Sequence, residues 1–152
     1  MLGFTSLCLA APAGAGTSEG SGASCHLSVS ALVFPPYDRI MHRGSSAIGT
    51  IQLDCPPDVR SLNPRILLST GQSGRFSERR MTSGRDSLRY NLFVEPSHRR
   101  VIGDGTGGSE AMTIASIHTA SRAVFTVYGM ILPGQAVTPG RYSDDLTIQM
   151  EF

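Results

Sequence analysis

The sequence predicts an all-β protein built as an antiparallel sandwich, and three observations carry that prediction. Short apolar stretches alternate with polar residues, Gly and Pro turns separate them, and no segment sustains the i, i+3, i+4, i+7 apolar spacing of a helix. The clearest stretch is the last one. From Tyr142, the even positions Tyr142, Asp144, Leu146, Ile148, Met150 and Phe152 alternate with Ser143, Asp145, Thr147, Gln149 and Glu151. Successive side chains on a strand point to opposite faces, so this segment has one largely apolar face and one wet face.

With 152 residues and 40% hydrophobic residues, the chain has the size and composition of one globular domain. The net charge of +1 gives no attraction to nucleic acid. No stretch approaches the roughly 20 apolar residues of a membrane-spanning helix.

In chain order, Leu2 to Ala13 is a short apolar run. It leads into Ala-Pro-Ala at 11–13 and Ala-Gly-Ala at 13–15, small-x-small patterns typical of a secretory cleavage site. No basic residue precedes Arg39, so either the true start lies upstream or the signal is atypical. Leu7 before Cys8 argues against a lipoprotein anchor. The expected organisation is a signal over 1–15, a Gly/Ser-rich flexible leader over 16–24 and a single domain over 25–152. The alternative for the first part is a disordered tail.

The first strand is expected over Cys25–Phe34, where Leu27, Val29 and Ala31 alternate with His26, Ser28 and Ser30, and Pro35-Pro36 ends it. A second covers 47–54 and runs into Cys55. Arg65–Thr70 is a third, bounded by Pro64 and Gly71. Residues 71–84 are polar and read as a loop or irregular edge. Leu88–Val94, 112–118 and Ala123–Leu132 are the next strands. Pro139-Gly140 then turns into the C-terminal strand. Roughly seven strands punctuated in this way form a sandwich.

Removal of the signal would take Cys8 with it and leave Cys25 and Cys55 at two strand ends. In an exported domain they suggest one disulfide, and closing a loop of that length is worth roughly 3–4 kcal/mol. Two buried free thiols are the alternative. The pair is not a zinc spacing.

No other constellation carries chemistry. Gly16-Thr17-Ser18-Glu19-Gly20 matches a nucleophile-elbow pattern, but without the strand and helix that make such a turn work. His26, His42, His98 and His118 are scattered. Gly103–Gly108 lacks the Lys and following helix of a phosphate loop, and only Asp104 and Glu110 could serve calcium there. Arg79-Arg80 and Arg99-Arg100 lack interleaved aromatics. The sequence therefore predicts no catalytic residue, cofactor or metal.

An ordered set of landmarks resembles the spore coat protein U family, which includes the secreted pilins of archaic chaperone–usher pili. These are Cys25, Phe34 and Tyr37-Asp38; Gly49-Thr50-Ile51 running to Cys55; Arg80-Met81; and Leu88-Arg89-Tyr90-Asn91-Leu92-Phe93. They continue with Gly103-Asp104-Gly105, Val127-Tyr128-Gly129, Gly134-Gln135 and Gly140-Arg141-Tyr142-Ser143-Asp144, ending at Phe152. Pro35, where the family often has Gly, and Ile102, where it often has Trp, mark a divergent member.

The resemblance implies an incomplete immunoglobulin-like sandwich lacking its final strand. A periplasmic chaperone would complete it first, then a neighbouring pilin subunit, with an outer-membrane usher as the third partner. It implies a secreted surface-pilus subunit supporting adhesion and biofilm formation, with no nucleic-acid partner and no stable membrane insertion. On this view Leu27, Val29, Ala31, Tyr142, Leu146, Ile148, Met150 and Phe152 line an acceptor groove, and the Phe152 carboxylate anchors the chaperone. Four uncovered apolar side chains would forgo roughly 6–12 kcal/mol of burial. The segment Gly14–Ser24, which should donate a strand to the next subunit, has no large apolar residue, so a terminal or minor subunit is expected. Nor can so glycine-rich a leader fold back to cover the C-terminal strand. A complete sandwich, acting as a self-contained secreted module that binds carbohydrate or another ligand, is the alternative.

Overall fold

A computed structural model describes residues 5–10, 25–40, 43–56, 63–113 and 122–151. Among these residues there are ten strands. They are β1 (Thr5–Ala10), β2 (His26–Val29), β3 (Leu32–Phe34), β4 (Ser45–Asp54), β5 (Arg65–Leu68), β6 (Arg79–Ser83), β7 (Asp86–Phe93), β8 (Met112–Thr113), β9 (Arg122–Ile131) and β10 (Asp145–Glu151), with a single 3₁₀ turn at Gly71–Ser73.

The strands form two five-stranded sheets, in the orders β3-β1-β10-β5-β8 and β2-β4-β9-β7-β6. Neighbours pair antiparallel except for β1 and β10, which run parallel. The longest ladder joins β4 to β9, from Ser45↔Ile131 to Asp54↔Arg122. Both strands alternate strictly over their inner halves, burying Ile51 and Leu53 against Phe125 and Val127. Across the sandwich, Leu32, Phe34, Ile66, Leu68, Leu146 and Ile148 of the first sheet join them in one core.

β3 lies unusually close to the opposite sheet. A Cβ on Gly129 would stand 2.7 Å from Phe34 Cζ and 2.9 Å from Leu32 Cδ2, while one on Gly49 would stand 3.3 Å from Leu32 Cβ. The two glycines therefore give Leu32 and Phe34 room that any larger residue would take.

Two expectations change, one is sharpened and one is seen in part. The expected first strand is two strands. Leu27 and Val29 sit on β2, paired with Leu53 and Ile51 of β4, and Ala31 lies exposed where the chain crosses over to β3 in the other sheet. The polar stretch 71–84, read as a loop or irregular edge, contains β6, the edge strand of its sheet, paired with β7 from Arg79↔Tyr90 to Ser83↔Asp86. Its inward residues are Arg79 and Met81, and an arginine at a core position defeats hydrophobic patterning. The strand expected over 112–118 is seen at Met112–Thr113, and its remainder lies outside the described residues. Finally, the C-terminal strand has a neighbour on each side, because Thr5–Ala10 lies between it and β3.

Candidate functional site

The C-terminal strand takes its shape from where the chain changes sheets. Ser143 exchanges backbone hydrogen bonds with Thr82 of β6, at 2.8 and 3.1 Å, while Asp145 begins β10 in the other sheet. Asp144 is the crossing point. Its carboxylate is fully buried, accepting 2.7 Å from the Tyr90 hydroxyl and 2.9 Å from the Gln72 backbone N–H. Burial pushes this carboxyl above its ordinary value, against those two hydrogen bonds and the charge of Arg79. Tyr142, also buried, donates from its hydroxyl to the Thr138 carbonyl at 2.7 Å and fixes the turn before the crossing.

Arg79 holds the neighbouring ground. It is fully buried, and its guanidinium donates to Asn91 Oδ1 at 2.8 Å, the Ser69 carbonyl at 2.8 Å and the Ile102 carbonyl at 2.7 Å. Burial lowers its pKa, partly offset by Tyr90 and Asp144. The Arg79 side chain thus ties β6 to β7, the end of β5 and the 102–103 segment at once.

Beyond the crossing, β10 buries Leu146 and Ile148, half-buries Met150 and exposes Asp145, Thr147, Gln149 and Glu151. On one side it pairs with β5, from Ile148↔Leu68 to Glu151↔Arg65, closed by an exposed Arg65–Glu151 ion pair at 3.1 Å. On its other side is a lane about one strand wide, bounded by β3 across from it. β1 lies in this lane. Its first half pairs with β3 (Thr5↔Phe34, Ser6↔Val33, Leu7↔Leu32) and its second half with β10 (Cys8↔Asp145, Leu9↔Leu146, Ala10↔Thr147). Each ladder is three residues long.

Of the residues expected to line a groove, Leu146, Ile148 and Met150 lie on β10, which borders this lane, while Tyr142 precedes the crossing and bonds to Thr138. Leu27, Val29 and Ala31 do not reach it, since β2 is an edge of the opposite sheet. Leu32 and Phe34 take that place. Sequence reasoning missed them although a signal was present, because the large apolar residues pass from odd numbers, Leu27 and Val29, to even ones, Leu32 and Phe34. Phe152 lies outside the described residues, as does Gly14–Ser24. Cys25 and Cys55 form a disulfide, joining the start of β2 to the end of β4. Among the described residues there is no group of three or more His, Cys, Asp or Glu able to hold a metal, and no helix long and apolar enough to cross a membrane.

Comparison with known proteins adds two likenesses. The profile of the Spore Coat Protein U domain matches residues 17–149. Among solved structures, the chain resembles one from the CsuC–CsuE chaperone–tip adhesion subunit pre-assembly complex of archaic chaperone–usher Csu pili of Acinetobacter baumannii. The TM-score is 0.61 at 20% identity, over 86% of this chain and 40% of that one. The chain thus spans well under half the length of that relative. No curated protein matches significantly.

Proposed function

Because the chain belongs to the Spore Coat Protein U domain family, we propose that it is a structural subunit of a chaperone–usher surface pilus, exported through the periplasm, whose role is assembly and not catalysis. Its partners are then a periplasmic chaperone, an outer-membrane usher and neighbouring pilin subunits. The lane between β3 and β10 is the acceptor for a strand that another protein supplies.

One observation carries this reading. The family match begins at residue 17, so the domain it covers contains β3 and β10 but not the strand that lies between them. Without β1, the two strand edges would face an open lane beside Leu146 and Ile148, a template for strand addition. Phe152, the residue after Glu151, offers its carboxylate to basic residues of the chaperone. We extend the proposal to a terminal or minor place in the fibre, since Gly14–Ser24 has no large apolar side chain to donate. A terminal place is the one from which a subunit touches a surface, which is the basis for a role in adhesion and biofilm formation.

The test is co-expression in the periplasm of residues 16–152 behind a generic export signal, with and without the chaperone encoded by its own genome. A one-to-one complex with the chaperone, and aggregation without it, are expected. A stable monomer that melts cooperatively and ignores the chaperone would overturn the proposal. That outcome would favour a self-contained binding module, for which a cleft of about 400 Å³ lined by Ser69, Thr70, Phe76, Asp104, Thr147 and Gln149 among the described residues is one candidate site.

A further inference from the structure

We infer that the cleft between β5, β10 and the loop that follows Ile102 is a binding site for a neutral saccharide. The inference does not rest on the acceptor reading. The cleft lies on the β5 side of β10, whereas the lane lies on its other side.

The cleft of about 400 Å³ has a floor on the outer face of the sheet and a wall beside it. On the floor Gln149 stands opposite Leu67, and Thr147 lies beside Ser69, whose backbone N–H donates to the Thr147 carbonyl at 2.9 Å. Phe76 and Asp104 make the wall. Ile66 and Leu68 belong to the core, so alternation turns Leu67 outward, yet Leu67 is buried as well. The outer face of β5 is therefore covered at this point.

One side chain holds wall and floor from within. Arg79 donates to the carbonyls of Ser69 and Ile102, and its guanidinium carbon stands 5.3 Å from the centre of the Phe76 ring. Asn91, bonded to Arg79, donates to the Phe76 carbonyl at 2.8 Å. A fully buried arginine thus fixes three segments that meet at the cleft. Gly103 leaves the space this needs, since a Cβ there would stand 2.7 Å from Phe76 Cδ1.

The lining matches a neutral saccharide, which offers an apolar C–H face and hydroxyls that both donate and accept. The Gln149 amide and the Thr147 and Ser69 hydroxyls can do either, while the Asp104 carboxylate accepts. Asp104 Oδ1 takes hydrogen bonds from the Thr106 N–H at 2.8 Å and hydroxyl at 2.7 Å, which orient the carboxylate and hold its pKa below the ordinary value. A carboxylate has about four acceptor sites, so capacity remains for a ligand hydroxyl. Phe76 and Leu67 supply apolar ground for the sugar ring. Among the described residues no Lys, Arg or His lines the cleft, so a phosphorylated or sialylated sugar would bring an unpaired charge. A single carboxylate is also too little for a calcium ion.

The experiment takes the full chain as recovered from the periplasm, alone or with its chaperone. It is applied to an array of neutral glucose-, galactose- and mannose-terminated oligosaccharides printed beside sialylated ones. Binding to at least one neutral glycan is expected. Asp104→Asn and Gln149→Ala should each weaken it at least about tenfold, whereas Ser87→Ala on the other sheet should leave it unchanged. All three residues are exposed, so the variants should keep the wild-type melting temperature. No binding to any neutral glycan, a preference for sialylated ones, or neutral binding that survives both cleft substitutions would overturn the inference. None of these results bears on whether the lane accepts a strand, which chaperone binding reports separately.

Discussion

The Tyr90 hydroxyl donates a 2.7 Å hydrogen bond to Asp144 Oδ2, joining the middle of β7 to the residue at which the chain passes between sheets and enters β10. Both groups are buried. The relationship sets where β10 starts and thus which of its side chains border the lane.

Tyr90→Phe should lower stability by about 1–3 kcal/mol, because the buried carboxylate keeps the Gln72 N–H but loses its other strong donor. Urea unfolding at pH 7 measures this. A loss of a few tenths would mean that water replaces the phenol.

The pH dependence of Asp144 has a definite sign. Its carboxyl is raised above the ordinary value by burial. The folded state therefore binds the proton more tightly than the unfolded chain, so this group's contribution is fully present below the unfolded value and is lost as pH rises through the folded one. Asp144→Asn removes the charge at every pH. The stability of the wild type relative to Asp144→Asn should thus fall with rising pH from the ordinary carboxylate range and level off above the raised value. Asp54, Glu78, Asp86, Glu95 and Asp104, all held below their ordinary values, have the opposite slope but cancel in the difference. A flat difference across pH 3–7 would contradict the assignment.

Arg79→Ala should cost 3 kcal/mol or more, roughly what losing one partner of a buried charged network costs, since Asn91 Oδ1 and two carbonyls lose their donor. Arg79→Lys should rescue little of it, because an ammonium cannot reproduce the fork that reaches three acceptors on different segments. Thermal melts of the two variants give the comparison.

Gly129→Ala should destabilise by about 1–3 kcal/mol through its clash with Phe34 and Leu32. In combination with Phe34→Ala its cost should shrink, and a double-mutant cycle that shows no coupling would place β3 further from β9 than the structure has it.

On the functional side, Ile148→Asp in the chain without residues 1–15 should abolish co-purification with the chaperone, whereas Thr147→Asp on the exposed face should leave it within a few-fold. Equal effects of the two would mean that the partner does not read the apolar row of β10.

The sequence by itself determined the fold class, the strand character of most stretches, the facing of Leu146 and Ile148, and Cys25 and Cys55 as the disulfide pair. These are legible because alternation and turn residues act locally: they say which face of a strand is apolar and where it must stop. Only the tertiary structure decided which strand lies beside which. It split 25–34 between two sheets, turned the polar 71–84 stretch into β6 around a buried arginine, made Asp144 the crossing point and brought Thr5–Ala10 into the lane. The reason is physical. Strand edges pair through backbone N–H and C=O groups that nearly every residue carries, so the choice of neighbour leaves little mark on side-chain pattern. A buried arginine or aspartate, likewise, is stable only because distant segments bring it donors and acceptors, and those partners exist only once the chain has folded.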